Sequence, residues 1–295
     1  MALDTLTRPA TAVRRTTPRR TPRWTPLTVL IVVLMSVWAV LCLGPLLWML
    51  ANSLRSSDGI FLHAIGAPEW ARRGNYSQAW QQGGMGRALV VSILVNAAAT
   101  LLCGLVSGLV GFALSRGRLP FARPLFTFFL LGLMIPTFSL LIPVLTQFQS
   151  LGLTDNPLGL VLVYAGFSVS LGVLLFKGAF DQLPGEYLEA AALDGASVPW
   201  TVIHIALPLI KPTIATFAIL TFLNGYNDFV FALVLIAGED NRTLPLALLQ
   251  FSGQFGTRYD LVFAAVTVST LPALIGYLVL RRQIQQSVAV GGRVG

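Results

Sequence analysis

The sequence predicts an all-α membrane protein with six transmembrane helices. Only 11% of its residues are charged and 55% are hydrophobic, with a mean hydropathy of +0.74, whereas soluble domains carry about 25% charge. Apolar stretches at about 27–50, 88–114, 121–146, 158–176, 213–236 and 261–280 each reach the ~20 residues that a helix needs to cross ~30 Å of hydrocarbon. Lysines and arginines flank these stretches. Unpaired backbone groups are costly in lipid, so the spans should be helices.

The basic residues also orient the bundle. Arg8, Arg14, Arg15, Arg19, Arg20, Arg23, Arg116, Arg118, Arg123, Lys177, Lys211, Arg281, Arg282 and Arg293 fall on the side of the N-terminus; Arg55, Arg72, Arg73, Arg87, Arg242 and Arg258 fall on the other. The positive-inside rule then predicts a multi-pass cell-membrane protein with both termini in the cytoplasm. The net charge of +8 is thus explained by topology. No basic patch with interleaved aromatics points to nucleic acid.

Residues 1–26 are rich in Arg, Thr and Pro with Asp4 as their one acid, which predicts a disordered basic cytoplasmic tail. They are not a cleaved export signal, because the apolar run that follows is too long and ends in no small-x-small site. Residues 27–282 form the predicted transmembrane domain. Its first outer loop, about 51–87, carries Trp70, Tyr76 and Trp80, aromatics that favour the headgroup level. The sequons at Asn75 and Asn241 are too short a signal to carry a role.

In the second span Gly104, Gly108 and Gly111 stand at helix-packing spacing; glycine is also simply common in membrane helices. Pro136 and Pro143 predict a kinked third span. Cys42 and Cys103 lie inside apolar runs, where cysteine acts as a small hydrophobe.

Between the fourth and fifth spans, at about 178–212, lies the longest polar-containing interval of the second half. Pro184 and Gly185 break the preceding helix, and Glu186 and Glu189 place negative charge in a first turn, where the helix dipole favours it. Gly195 supplies a left-handed stop. Ser197 is the expected N-cap of a second short helix with Pro199 in its first turn, before Pro208 and Pro212 interrupt the run. Ala190, Ala191 and Ala192 leave a surface without bulk, open to a docking partner. An amphipathic connector lying on the membrane is the plainer reading.

The fifth span contains Asn224-Gly225-Tyr226-Asn227-Asp228-Phe229. A carboxylate near mid-bilayer costs on the order of 3 kcal/mol on insertion scales, so Asp228 should line a cavity, meet a partner helix or be neutral. Asn224, Tyr226, Asn227 and Asp228 are the candidate pathway residues. The sixth span ends at Arg281-Arg282, before a glycine-rich tail, 283–295.

Glu189-Ala190-Ala191, Asp194-Gly195-Ala196, Trp200, Leu207-Pro208 and Pro212 fill nearly every fixed position of the EAA loop of ABC-type importer permeases, which the segment resembles. Asn75-Tyr76 with Trp80 resembles the NY-x-x-x-W element of the carbohydrate type, and Gly44-Pro45-Leu46-Leu47-Trp48-Met49 with Ser53-Leu54 falls in the same order. By these motifs the chain, from about Leu41 onward, is similar to the MalG-like inner-membrane subunit of binding-protein-dependent sugar importers. Ser287 stands where that family usually has glycine in its tail. The resemblance implies the type I ABC importer permease fold and an ATPase-coupling surface built from Glu186, Glu189, Ala190, Ala191, Asp194, Gly195 and Ala196. It further implies a second, different permease subunit, two ATPase subunits that carry ATP and Mg, and an extracytoplasmic sugar-binding protein. The cargo would be a disaccharide, oligosaccharide or polyol derivative.

No Walker A sequence, HExxH, GxSxG or Cys/His metal spacing occurs, and His63 and His204 belong to opposite sides. Gly84-Met85-Gly86 lacks the third glycine and preceding strand of a dinucleotide fingerprint. The expectation is a transport subunit without catalytic residues, cofactor or metal of its own. The alternatives are an ion-coupled secondary transporter using Asp228, which predicts interrupted helices in both halves, and a non-transporting scaffold.

Overall fold

The computed structural model describes residues 25–63, 65–116, 119–253 and 256–291. The basic tail through residue 24, Arg118 and the final Gly292–Gly295 lie outside the described residues. Helix α1 spans Pro26–Asn52 with Pro45 inside it. Its residues through Leu47 fall in one compact unit, and Trp48–Gly295 form the other.

In the second unit α2 (Ser57–Leu62) and α3 (Gly74–Gln82) lead into α4 (Met85–Arg116). The Asn-Tyr pair staples this entry. Asn75 is buried and donates to the carbonyls of Ser53 at 2.9 Å and Arg55 at 3.0 Å, while the Tyr76 and Ser53 hydroxyls meet at 2.6 Å. Loop carbonyls that would otherwise be buried without donors are thereby satisfied.

Helices α5 (Ala122–Gly132) and α6 (Leu141–Ser150) make up the third stretch, bent by 89°. The expected kink is therefore a break, and its two prolines differ in effect. Pro136 adopts extended backbone (φ −63°, ψ 116°) between the helices. Pro143 falls in the first turn of α6, where a missing N–H leaves no bond unmade.

Helix α7 (Pro157–Asp181) starts with Asn156 Oδ1 accepting from Leu158 N at 2.9 Å and proline at its first position. It packs closely on α4 because glycine removes side chains from the seam. A Cβ at Gly111 would stand 2.8 Å from Phe176 Cβ and 2.9 Å from Lys177 N, and one at Gly172 would stand 2.6 Å from Ser107 Cβ. Gly104 packs against Phe217, but Gly108 faces open space, so only two of the three expected packing glycines act as such. Val95, Ala99 and Cys103 from α4 and Leu160, Val163, Tyr164, Phe176 and Phe180 from α7 form the buried core with Phe217 and Phe231.

Two short helices follow, α8 (Gly185–Leu193) and α9 (Val198–Thr201); a π-helical turn, Val202–Ala206, leads to α10 (Leu207–Leu209). The second helix thus continues past Pro208, contrary to the expected interruption there. The wider turn, closed by Leu207 N on Val202 O, accommodates a residue without an N–H. A 79° bend at Ile210 opens α11 (Lys211–Tyr226).

The fifth expected span, 213–236, is not one helix. It ends at Tyr226, breaks over residues 227–229 and resumes as α12 (Val230–Leu235). The chain then forms α13 (Leu244–Ala247), the antiparallel pair β1 (Ser252–Gly253) and β2 (Gly256–Thr257), and α14 (Tyr259–Gly291). Helix α14 carries the backbone well into the 283–295 tail. Among the described residues four helices are long and apolar enough to cross a membrane, or six if each bent pair is one span.

Candidate functional site

The α8–α9 elbow is set by glycine. Gly195 has φ +79°, Gly195 N donates to Ala192 O at 3.1 Å, and Ala196 N reaches back to Ala191 O at 2.9 Å, the paired closure of a left-handed helix stop. Ser197 has the expected extended N-cap backbone but makes no side-chain cap bond; its carbonyl accepts from Thr201 N and Oγ1 instead. Trp200 stacks on His204 with ring centroids 4.6 Å apart.

This elbow encloses an open groove of about 660 Å³ lined by Tyr187, Ala190, Ala191, Asp194, Gly195, Ala196, Ser197, Trp200 and Ile205. Five of the seven predicted coupling residues are here. Glu186 and Glu189 are exposed on α8 but do not line the groove, because its wall is the small-residue face of that helix. Around it Leu193, Val198 and Ile203 expose most of their apolar surface, at 89%, 65% and 57%. A concave apolar surface of this kind suits a partner's side chains.

A second cavity, of about 820 Å³, lies where α11 breaks. Asn224, Asn227 and Asp228 line it with Thr137, Phe138, Tyr164, Phe167, Ser168 and Phe231. Asp228 Oδ2 accepts from the Tyr164 hydroxyl at 2.9 Å and from Phe231 N at 3.1 Å and Ala232 N at 3.2 Å. The carboxylate therefore meets both a partner helix and the first free N–H groups of α12. Asn224 and Asn227 are exposed, offering both donor and acceptor atoms to a hydroxylated solute.

Tyr226, grouped with the pathway residues by sequence, does not line this cavity. It is buried and its hydroxyl donates to Ser269 O of α14 at 3.0 Å. Tyr226 is two positions beyond Asn224 on the same helix, about 200° around its axis, and so faces away from the cavity. Sequence reasoning missed Tyr164, Ser168 and the aromatic walls, which sit in apolar runs with no local polar signature.

Helix α7 joins the two features. Tyr164 stands at the cavity, and Asp181 at the other end lies four residues before α8 begins at Gly185. One unbroken helix of about 26 Å separates them.

Comparison with known proteins places this architecture. The chain is 30% identical over 260 residues to the diacetylchitobiose uptake system permease protein NgcG of Streptomyces coelicolor, covering 88% of this chain and 86% of that one. It is 29% identical over 268 residues to the probable starch degradation products transport system permease protein AmyC of Thermoanaerobacterium thermosulfurigenes, covering 90% and 95%. Its fold matches a chain of a bacterial ABC transporter involved in the import of the acidic polysaccharide alginate, with a TM-score of 0.77 at 19% identity over 90% of this chain and all of that one. The sequence profile described as the inner membrane component of binding-protein-dependent transport systems matches residues 100–290, and the chain, a transport permease with the ABC importer fold, belongs to that family.

Proposed function

We propose that this chain is one permease subunit of an ATP-driven importer that translocates a carbohydrate, a disaccharide, oligosaccharide or polyol derivative, handed over by an extracytoplasmic binding protein. The α8–α9 groove faces the cytoplasm and receives one of two ATPase subunits, which hold ATP and Mg. A second, different permease chain completes the pathway. The small-residue wall of Ala190, Ala191, Gly195 and Ala196 admits a partner backbone closely, and the exposed apolar rim seals it.

The observation that carries this reading is that α7 lines the cavity with Tyr164, Phe167 and Ser168 and ends at Asp181, four residues before the helix that walls the groove. ATP-driven closure at the groove swings α7 as a rod and opens the cavity at Asn224 and Asn227 to the other side, shifting the population between two access states. Uncharged amide and hydroxyl groups beside aromatic walls suit a sugar, whose hydroxyls need hydrogen bonds and whose C–H faces need apolar contact. Asp228 Oδ2 already accepts three donors, which commits that oxygen to the helix break and to Tyr164.

The test is reconstitution in vesicles with the co-purified ATPase chains and binding protein. Uptake must require ATP, and a sugar panel against the binding protein identifies the cargo. Uptake that tracks a proton gradient without ATP, or purification in mild detergent with no ATPase chain, overturns the reading.

A further inference from the structure

The guanidinium of Arg116, at the end of α4, donates through Nη2 to Phe180 O at 2.5 Å and to Leu183 O. These are carbonyls of the last turn of α7 and of the loop that enters α8; Phe180 O also accepts from Leu183 N at 3.2 Å, so Arg116 binds a turn that the backbone has already closed. Two further contacts lock the same ends together. Phe112 meets Phe180 edge to face at 5.3 Å, and Gly111 brings the α4 backbone against Phe176 and Lys177. Phe180 is fully buried, and Arg116 Nε is buried without a partner.

From this geometry we infer that Arg116 is a positioning residue for energy coupling: it welds the foot of the coupling elbow to α4, so that movement of α8 is delivered to the α4–α7 pair and not absorbed at Leu183-Pro184. This rests on the proposed function. The two N–H groups of one guanidinium nitrogen, held in a rigid plane, serve both carbonyls; an ammonium carries donors enough but on a shorter, freely rotating head, and an amide is too short. Lys177 offers an internal comparison, since its bond to Asp181 Oδ2 at 2.6 Å and its place over the Phe126 ring lie on the same foot without reaching α8.

The experiment uses the assembled complex with Cys42 and Cys103 replaced by alanine and a single reporter thiol introduced by Asn224→Cys. Labelling by a membrane-impermeant maleimide from the extracytoplasmic side is measured with and without ATP and vanadate, beside the ATPase rate. Arg116→Gln is expected to keep ATP hydrolysis within about 2-fold of the parent while ATP-dependent labelling falls at least ~5-fold, a loss confined to coupling. Arg116→Lys should recover part of the labelling, and Lys177→Gln should behave as the parent. Parental labelling in Arg116→Gln overturns the inference. Failure of both Arg116 variants to assemble, or ATPase and labelling falling in proportion, also overturns it, because a purely structural clamp gives that result. If labelling of the parent itself ignores ATP, the functional reading has failed and not the role of Arg116.

Discussion

The Tyr164 hydroxyl donates to Asp228 Oδ2 at 2.9 Å, tying the N-terminal third of α7 to the point where α11 stops and α12 starts. The same oxygen accepts the N–H groups of Phe231 and Ala232. One carboxylate thus caps a half-helix and fastens it to its neighbour, and this bond lies on the wall of the cavity.

Replacing Asp228 should separate these roles. Asp228→Asn keeps an acceptor for the cap and should retain most transport. Asp228→Ala removes the cap and the tyrosine's partner, a loss of about 2 kcal/mol, and transport should fall at least ~10-fold on the linked scale. Thermal unfolding in detergent and uptake in vesicles measure the two. Equal behaviour of both variants would show that neither the cap nor the tether matters.

Gly195 is open to any side chain in space, with nothing within 4 Å of an added Cβ, yet holds φ +79°. Its constraint is purely conformational. Gly195→Val should cost about 1–2 kcal/mol at the elbow and disturb the groove, whereas Gly195→Asn should be mild, because asparagine tolerates the left-handed region. The readout is ATP hydrolysed per solute carried, expected to rise in the valine variant and stay near wild type in the asparagine variant.

Gly225 shows the opposite constraint. An added Cβ would stand 2.1 Å from Asn96 Oδ1 and 3.0 Å from Tyr164 Cδ2, and Asn96 Oδ1 has no hydrogen-bond partner. Gly225→Ala should destabilise by about 1–3 kcal/mol through overpacking. Adding Asn96→Ala removes the obstructing oxygen and should restore at least half of the loss. A double-mutant cycle on thermal stability that is strictly additive would refute the contact.

Asn75 should be intolerant of both shortening and charge. Its amide serves the carbonyls of Ser53 and Arg55, so Asn75→Ala strands two acceptors at about 1–3 kcal/mol each. Asn75→Asp should be no better, because a carboxylate cannot donate to a carbonyl. Limited proteolysis between residues 56 and 74 should accelerate in both; protection in the aspartate variant would contradict this account.

Much of this was legible in the chain, and the exceptions are physical. Gly195 and Pro184 announced the elbow because backbone freedom and its absence are local properties. Asp228 announced itself by its cost in lipid, but its partner did not: Tyr164 lies 64 residues away in an apolar run. Tyr226 belongs to the other face: it stands two residues from Asn224 on one helix, about 200° around the axis, so grouping the polar run 224–228 as one surface overlooks the helical period. Arg116 read as a topological charge, and only the crossing of α4 and α7 brought it to Phe180 and Leu183.

By itself the sequence determined the solvent this protein lives in, the elbow at Gly195 and its membership of a transport family, because hydropathy, glycine and motif spacing act over a few neighbouring residues, while the breaks within the third and fifth spans came from the tertiary structure. Tertiary structure alone decided which polar groups answer one another: Asp228 with Tyr164, Asn75 with Ser53 and Arg55, Arg116 with the end of α7. A hydrogen bond is specified by a few ångströms of space, and in a helical bundle that space is set by how whole helices pack, a property that no short window of sequence contains.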